Sequence, residues 1–295
     1  MNQKIPVTAI VCTYNEEVNI ERCLKSIHGF LDQIFVIDSE STDQTVTIAR
    51  KYADEVYNLA YVHDHIPWVF QWGLDNLPIR NEWVLILEAD RMVTPDLKRE
   101  LERVFSTTHI LEKGFYIRRV QVFRGREIRY GGYGSKYLLT LFCRSAAKLD
   151  SEERDTRVYV QGKVGKLKFP VIEENLKEAD ILFYLQKHLR YAEAFAREEL
   201  KRQQEGLQWE VRATPFGTPD QRILWFKSIY YRLPLYIRPM LYFFYRYFFR
   251  LGILDGKEGA IFHFLQAFWF RLIVDVRLEE LQRISKKLLA EAHEI

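Results

Sequence analysis

Apolar positions in the N-terminal half fall into short runs, each followed by a stretch of helical period. Val7-Thr8-Ala9-Ile10-Val11-Cys12 reads as a buried strand, Thr13-Tyr14-Asn15-Glu16-Glu17 leaves it, and Ile20, Cys23, Leu24 and Ile27 then recur at helical spacing. The pattern repeats at once. Ile34-Phe35-Val36-Ile37 ends at Asp38, Ser41-Thr42-Asp43 supplies capping side chains, and Thr45, Ile48, Ala49 and Tyr52 share a helical face. A third strand is predicted near Glu55 to Leu59, and a fourth over Trp83-Val84-Leu85-Ile86-Leu87, running into Glu88-Ala89-Asp90. Strands alternating with helices imply an α/β fold whose mostly parallel sheet is flanked by helices, and ligands of such sheets sit beyond the carboxyl ends of the strands. Tyr14, Asp38, Glu88 and Asp90 all fall at such ends.

In a strand, side chains two apart share a face, so the carboxylates of Glu88 and Asp90 are placed to reach one ligand, such as a metal-bound diphosphate. The same run also reads as a buried strand ending in solvated acids. The polar strand exits upstream weigh toward a ligand site. With 295 residues the chain suits one α/β domain with a helical appendage, and its balance of 48% hydrophobic to 28% charged residues excludes wholesale disorder. Cys12, Cys23 and Cys143 form neither a C-x-x-C pair nor a disulfide framework, which points to a reducing compartment. Met1 to Pro6 leads into the first strand with no signal-peptide pattern, so the expected location is the cytoplasm.

Composition shifts once, after Gly217-Thr218-Pro219-Asp220, and the expected division is a domain over 1–217 and a helical, aromatic-rich amphipathic region over 218–295. From Gln221 to Leu254 there is no acid, but there are six basic residues and twelve aromatic ones. Because the whole chain is only +3, the rest sums to −3, so this segment carries the basic character. Arg232, Arg238, Arg246 and Arg250, with Pro234 and Pro239, interrupt every window of the roughly 20 apolar residues that a membrane span requires. Basic residues among aromatics also suit single-stranded nucleic acid, but nothing else in the chain resembles a nucleic-acid module, and no nucleic-acid partner is expected. Two readings stay open. One is a platform on an anionic membrane surface, with rings at the headgroups and arginines reaching phosphates; the other is helices that bury their aromatics against the catalytic domain or a second subunit of a homo-oligomer. Ala260 to Leu289 reads as one long helix, nearly apolar all round at first and charged from Asp275 onward, which protein or lipid must cover.

Four segments, in order, resemble the family 2 glycosyltransferases: Val11-Cys12-Thr13-Tyr14-Asn15-Glu16-Glu17, Val36-Ile37-Asp38-Ser39-Glu40-Ser41-Thr42-Asp43, Phe70-Gln71-Trp72-Gly73-Leu74-Asp75-Asn76-Leu77-Pro78-Ile79 and Glu88-Ala89-Asp90. Further on, Gly162-Lys163-Val164-Gly165-Lys166-Leu167-Lys168, Lys187-His188-Leu189-Arg190-Tyr191-Ala192 and Leu254-Asp255-Gly256-Lys257-Glu258-Gly259 resemble a bacterial branch working on cell-surface polysaccharide or lipopolysaccharide core. The resemblance implies a Rossmann-like GT-A fold and inverting transfer from a nucleotide sugar, UDP-linked, to a lipid-linked or glycan acceptor. It implies a cytoplasmic enzyme, peripheral on the inner face of the cell membrane.

Carried over position by position, the resemblance places Cys12, Tyr14, Glu16, Asp38, Gln71, Glu88 and Ala89 at the nucleotide sugar. Tyr14 would lie near the base and Asp38 would accept hydrogen bonds from base or ribose. Asp90, assisted by Glu88, would hold a Mg²⁺ or Mn²⁺ bridging the diphosphate, a cation that takes one or two carboxylates with phosphate oxygens. The chain departs from the family where Glu88 replaces the usual Asp, Arg91 follows where an acid is common, and Gln71 replaces Asn. Inverting transfer needs a carboxylate base; related proteins carry a His-Glu pair where this chain has Asp155-Thr156. Asp155 is the nominee, with Glu153 and Glu152 as alternatives on the same charged segment. His188 reads either as an acceptor or phosphate ligand or as a satisfied structural histidine. The competing reading of the whole chain is a non-catalytic relative that keeps the donor fold as a scaffold subunit of a membrane assembly.

Overall fold

The computed structural model describes residues 4–60, 66–107, 109–149, 157–206 and 211–293. The chain forms two compact units, Met1–Glu127 with Tyr133–Lys177, and Ile128–Gly132 with Glu178–Ile295. The first opens with β1 (Ile5–Thr13), α1 (Ile20–Lys25), β2 (Leu31–Asp38), α2 (Thr45–Ala49), β3 (Glu55–Asn58), α3 (Ile66–Asn76) and β4 (Trp83–Glu88). There follow β5 (Arg91–Val93), α4 (Pro95–Phe105), β6 (Gly114–Phe123), β7 (Arg126–Ile128), β8 (Tyr137–Cys143), β9 (Ala147–Leu149), β10 (Val158–Val160) and β11 (Val164–Glu173).

The main sheet runs β3-β2-β1-β4-β8-β6-β11-β5, with β7 on β6. β1 pairs in parallel with β2 on one side and β4 on the other, which explains why its sequence is apolar on both faces. Val7, Ala9 and Val11 share a core cluster with Ile20, Cys23 and Leu24 of α1 and Leu97 of α4, whereas Ile10 and Cys12 belong to the cluster that holds Val69 and Phe70 of α3. α3 approaches the sheet closely at Gly73, where a Cβ would stand 2.7 Å from Ile37 Cδ1. α4 begins on a capping threonine, with Thr94 Oγ1 accepting from the Leu97 N–H and Pro95 in the first turn.

The α/β architecture expected from the sequence is therefore present, with one qualification to its parallel character. β8 enters antiparallel between β4 and β6, and β5 lies antiparallel on β11. No helix separates β6 from β8, and an antiparallel return needs no crossover helix.

The second unit contains α5 (Ile181–Glu205), α6 (Pro219–Tyr230), α7 (Ile237–Phe244), α8 (Gly256–His263) and α9 (Phe270–His293). Asp180 caps α5 by accepting from the Leu182 N–H at 2.9 Å, and Thr218 with Gln221 forms a capping box on α6. Gly252–Lys287 is continuous enough, and apolar enough by length and composition, to cross a membrane, with 44% of its most apolar window buried within the protein. Protein covers its inner face: Phe270, Val274 and Leu278 pack with Ala192 and Ala196 of α5. That packing also draws α5 into the second unit, so the units divide at Lys177/Glu178, ahead of the compositional shift at 217/218. The basic segment is not uniform either. Arg238 is 1% exposed and donates to both carboxylate oxygens of Glu199, at 2.6 and 3.1 Å, and to Asp275 through Nε at 2.8 Å.

Candidate functional site

Parallel pairing brings the carboxyl ends of three strands side by side. Thr13 is opposite Asp38 on one flank of β1 and Cys12 opposite Glu88 on the other, so the two predicted acids bracket the end of the central strand. This is the position at which open α/β sheets bind ligands. The loops leaving β1 and β2 are tied to each other. The Asn15 N–H donates to Ser41 Oγ at 2.7 Å, the Thr42 N–H donates back to Asn15 Oδ1 at 2.7 Å, and the Glu16 N–H donates to Thr45 Oγ1 at 2.7 Å. Asn15 takes φ 51°, a left-handed conformation that asparagine tolerates better than most residues. Asp38 is buried at the base of this pair of loops, where it accepts from the N–H and hydroxyl of Ser41. Tyr14 stands on the first loop, 37% exposed.

β4 ends at Glu88, and Ala89 and Asp90 lie in the turn before β5, with the Ala89 N–H donating to the Cys12 carbonyl at 3.2 Å. The alternation of a strand therefore does not by itself orient Asp90 with Glu88. Arg91 Nη2 donates to Glu88 at 2.7 Å, and Asn175 Nδ2 approaches Asp90 Oδ2 at 3.4 Å. Both carboxylates act electrically on Cys12. Burial is the main cause that pushes its thiol up, Glu88 and Asp90 add to it, and Arg91 opposes them. Cys12 is thus held as a neutral thiol at the floor of the site.

Behind the acids lies a charged network on β5, β6 and β11. Arg91 Nε donates to Glu173 at 2.8 Å, and Arg119 donates to the same oxygen at 3.0 Å. Burial pushes the Glu173 carboxyl up, but Arg119, Arg91 and Lys136 outweigh it and hold it well below the usual carboxylate range. Beside it, Lys177 donates to the Asn15 carbonyl at 2.7 Å and to Glu16 at 2.6 Å, while Asn19 bonds both Glu16 and Asn175. The carboxylate of Glu16 is accordingly occupied in bracing the loop. Sequence reasoning missed Arg119, Glu173, Asn175 and Lys177. Three of them lie at or just beyond the end of β11, and the strand-exit argument would have found them had that strand, with its two lysines, been recognised as sheet.

Gln71 sits on α3, donating to Asp75 at 2.9 Å, and faces an open polar cavity of about 340 Å³ shared with Leu74, Asp75, Arg144 and Ala147. Asp155, Glu153 and Glu152 lie outside the described residues. His188 is buried on α5, stacked on Tyr184 with ring centroids 3.9 Å apart. Its Nδ1 is 2.8 Å from the Tyr184 carbonyl and its Nε2 is 2.9 Å from Gln266 Nε2. A carbonyl can only accept and an amide nitrogen can only donate, so the ring is neutral with its proton on Nδ1. This is the satisfied structural histidine of the two sequence readings.

No group of three potential metal-ligating side chains occurs among the described residues. The donor set still suits a hard divalent cation, because Mg²⁺ and Mn²⁺ at a phosphate site take only one or two carboxylates with phosphate oxygens. Asp90 and Glu88 are two such groups at one strand exit.

Fold and site together describe an α/β protein that gathers Tyr14, Asp38, Glu88 and Asp90 at or just beyond the carboxyl ends of β1, β2 and β4. Residues 8–140 match the family model described as glycosyl transferase family 2. An uncharacterized glycosyltransferase of Rickettsia bellii is 33% identical over 101 residues, 34% of this chain and 33% of the relative. The lipopolysaccharide core biosynthesis glycosyltransferase LpsC of Rhizobium meliloti is 23% identical over 111 residues, 37% of this chain and 40% of the relative. The chain spans about a third of the length of the first curated relatives it matches. Among solved structures, S. aureus TarS 1–349 in complex with UDP-GlcNAc aligns over 95% of this chain and 92% of its own at 17% identity and a TM-score of 0.48. Glucosyl-3-phosphoglycerate synthase from Mycobacterium tuberculosis, in complex with Mn²⁺, UDP and phosphoglyceric acid, aligns over 41% of this chain and 44% of its own at 19% identity and a TM-score of 0.31.

Proposed function

We propose that the protein is an inverting glycosyltransferase that moves a sugar from a nucleotide-sugar donor, UDP-linked, to a lipid-linked or polysaccharide acceptor in bacterial cell-surface glycan synthesis. The observation that carries this reading is the convergence of Tyr14, Asp38, Glu88 and Asp90 at three adjacent strand ends within the stretch that matches the family 2 model. The name of the LpsC relative supports the surface-glycan assignment.

In this reading Tyr14 offers a ring face to the base, and Asp38, fixed by Ser41, accepts from the nucleoside. Asp90 and Glu88 would hold a Mg²⁺ or Mn²⁺, which would supply positive charge to neutralise the leaving nucleoside diphosphate. Arg91 keeps Glu88 oriented. The acceptor hydroxyl loses its proton to Asp155, with Glu153 and Glu152 as the competing bases, and attacks the anomeric carbon on the face opposite the leaving group. Such an enzyme works in the cytoplasm, peripheral on the inner face of the membrane that displays its acceptor. Nucleoside diphosphate release from a panel of nucleotide sugars, with and without Mn²⁺, tests the activity. No release from any donor under either condition would leave the scaffold reading in its place.

A further inference from the structure

The second unit carries an apolar surface that its own fold leaves uncovered. Between α7 and α8 the chain turns through Phe248-Phe249-Arg250-Leu251, and within seven residues Phe249 is 80% exposed, Leu254 55%, Leu251 51% and Ile253 48%. The patch continues along α7. Phe244, itself 46% exposed, stacks on Phe248 with ring centroids 5.5 Å apart, and Tyr247 meets Phe248 edge-on at 5.1 Å. The turn is a built feature: Leu251 takes φ 60°, a conformation rare for a residue with a bulky side chain, and the Arg250 and Leu251 N–H groups donate to Tyr245 and Phe248 carbonyls. Soluble surfaces scatter single apolar side chains, whereas a contiguous exposed cluster of this kind marks an interaction face.

Charge selects the occupant. No acid occurs from 221 to 254, and Arg222, Arg232 and Arg250 are exposed. Arg238 is spent within the fold on Glu199 and Asp275, and Arg246 donates to the Gly131 carbonyl at 2.6 Å. A second copy would bring this acid-free segment against itself, which like charges disfavour. An anionic lipid surface complements it, and aromatic rings with arginine suit the boundary between headgroups and acyl chains. We propose that the turn 248–254, with the outer face of α7, inserts into the interfacial layer of an anionic bilayer and anchors the protein there without crossing it. This deepens the surface-glycan reading, on which it rests, by assigning membrane contact to named side chains.

The test uses the full chain and sedimentable vesicles of phosphatidylglycerol with phosphatidylcholine, or of phosphatidylcholine alone. The wild type should pellet with the anionic vesicles, and raised salt should weaken but not abolish this, because ring burial is not screened. Phe249→Ser combined with Leu251→Asn should lower partitioning about a hundredfold, asparagine being compatible with the left-handed backbone. Arg232→Ser with Arg250→Ser should remove the preference for phosphatidylglycerol. Circular dichroism reports that each variant is folded, and UDP binding without vesicles, unchanged in these variants, separates a failure of docking from a failure of the transferase reading. A wild type that stays in the supernatant with every vesicle, or an apolar double variant that pellets as the wild type does, overturns the proposal. So does a wild-type dimer in solution that the same substitutions convert to a monomer with no vesicle binding, which would assign the face to a second copy.

Discussion

Arg91 lies buried between Glu88 and Glu173, donating to the first through Nη2 at 2.7 Å and to the second through Nε at 2.8 Å. Burial works against its charge, but Glu88, Glu173 and Asp90 more than offset it and raise its pKa. The residue that departs from the family pattern is therefore a bridge from the donor-site acids to the end of β11. It also gives the longer Glu88 side chain a fixed partner.

Removing that cation takes from Glu173 one of its two guanidinium partners and from Glu88 the guanidinium it accepts from. Arg91→Ala should cost about 3–5 kcal/mol of stability, the usual loss when one member of a buried ionic network is deleted. Arg91→Lys should recover only part of this, because an ammonium cannot reproduce the planar fork that serves two carboxylates. Urea unfolding measures both. An alanine variant within about 0.5 kcal/mol of wild type would show that the network is not structural.

Donor binding should separate into two contributions. Asp90→Asn should remove most of the Mn²⁺-dependent part of UDP affinity, since the diphosphate loses a carboxylate anchor for the cation, while leaving the metal-free part. Asp38→Asn should weaken UDP binding equally with and without Mn²⁺, because its contact is with the nucleoside. Calorimetry under both conditions distinguishes them, and unchanged binding in both variants would refute the strand-end donor site.

Loss of the base should spare binding and reduce turnover. Asp155→Asn is expected to leave UDP affinity unchanged and slow transfer about a hundredfold or more, the scale of a lost general base. The same loss from Glu153→Gln instead would move the role two residues along the chain. Full activity in both variants would take the base out of this segment.

How far the site could be read beforehand depended on how each residue is placed. Tyr14, Asp38 and Glu88 were legible because a parallel strand buried on both faces announces itself as an apolar run, and the next polar residues must lie at its exit. Lys166 and Lys168 break that pattern in β11, a strand paired with β6 and β5 but with its lysine side chains outside the core, so Glu173, Asn175 and Lys177 went unnoticed. Arg238 was invisible for another reason. Its partners Glu199 and Asp275 lie 39 and 37 residues away, and no local pattern distinguishes an arginine bound for such a pocket from an exposed one.

His188 makes stability depend on pH. Burial is the chief cause lowering its pKa, with Glu178 and the Tyr184 carbonyl opposing, and Nε2 already accepts from Gln266, so the folded state prefers the neutral ring. As pH falls, the unfolded chain takes up this proton first. The stabilisation is therefore complete above about 6.5, the ordinary histidine value, and is lost as pH drops through that value toward the depressed folded-state pKa. Thermal midpoints should fall between pH 7.5 and pH 5. His188→Gln should lower the midpoint at pH 7.5, by about 1–2 kcal/mol of lost buried hydrogen bonding, and flatten the dependence in this window. A variant with the wild-type slope would move the titration to another group, His263 first, since burial lowers its pKa as well.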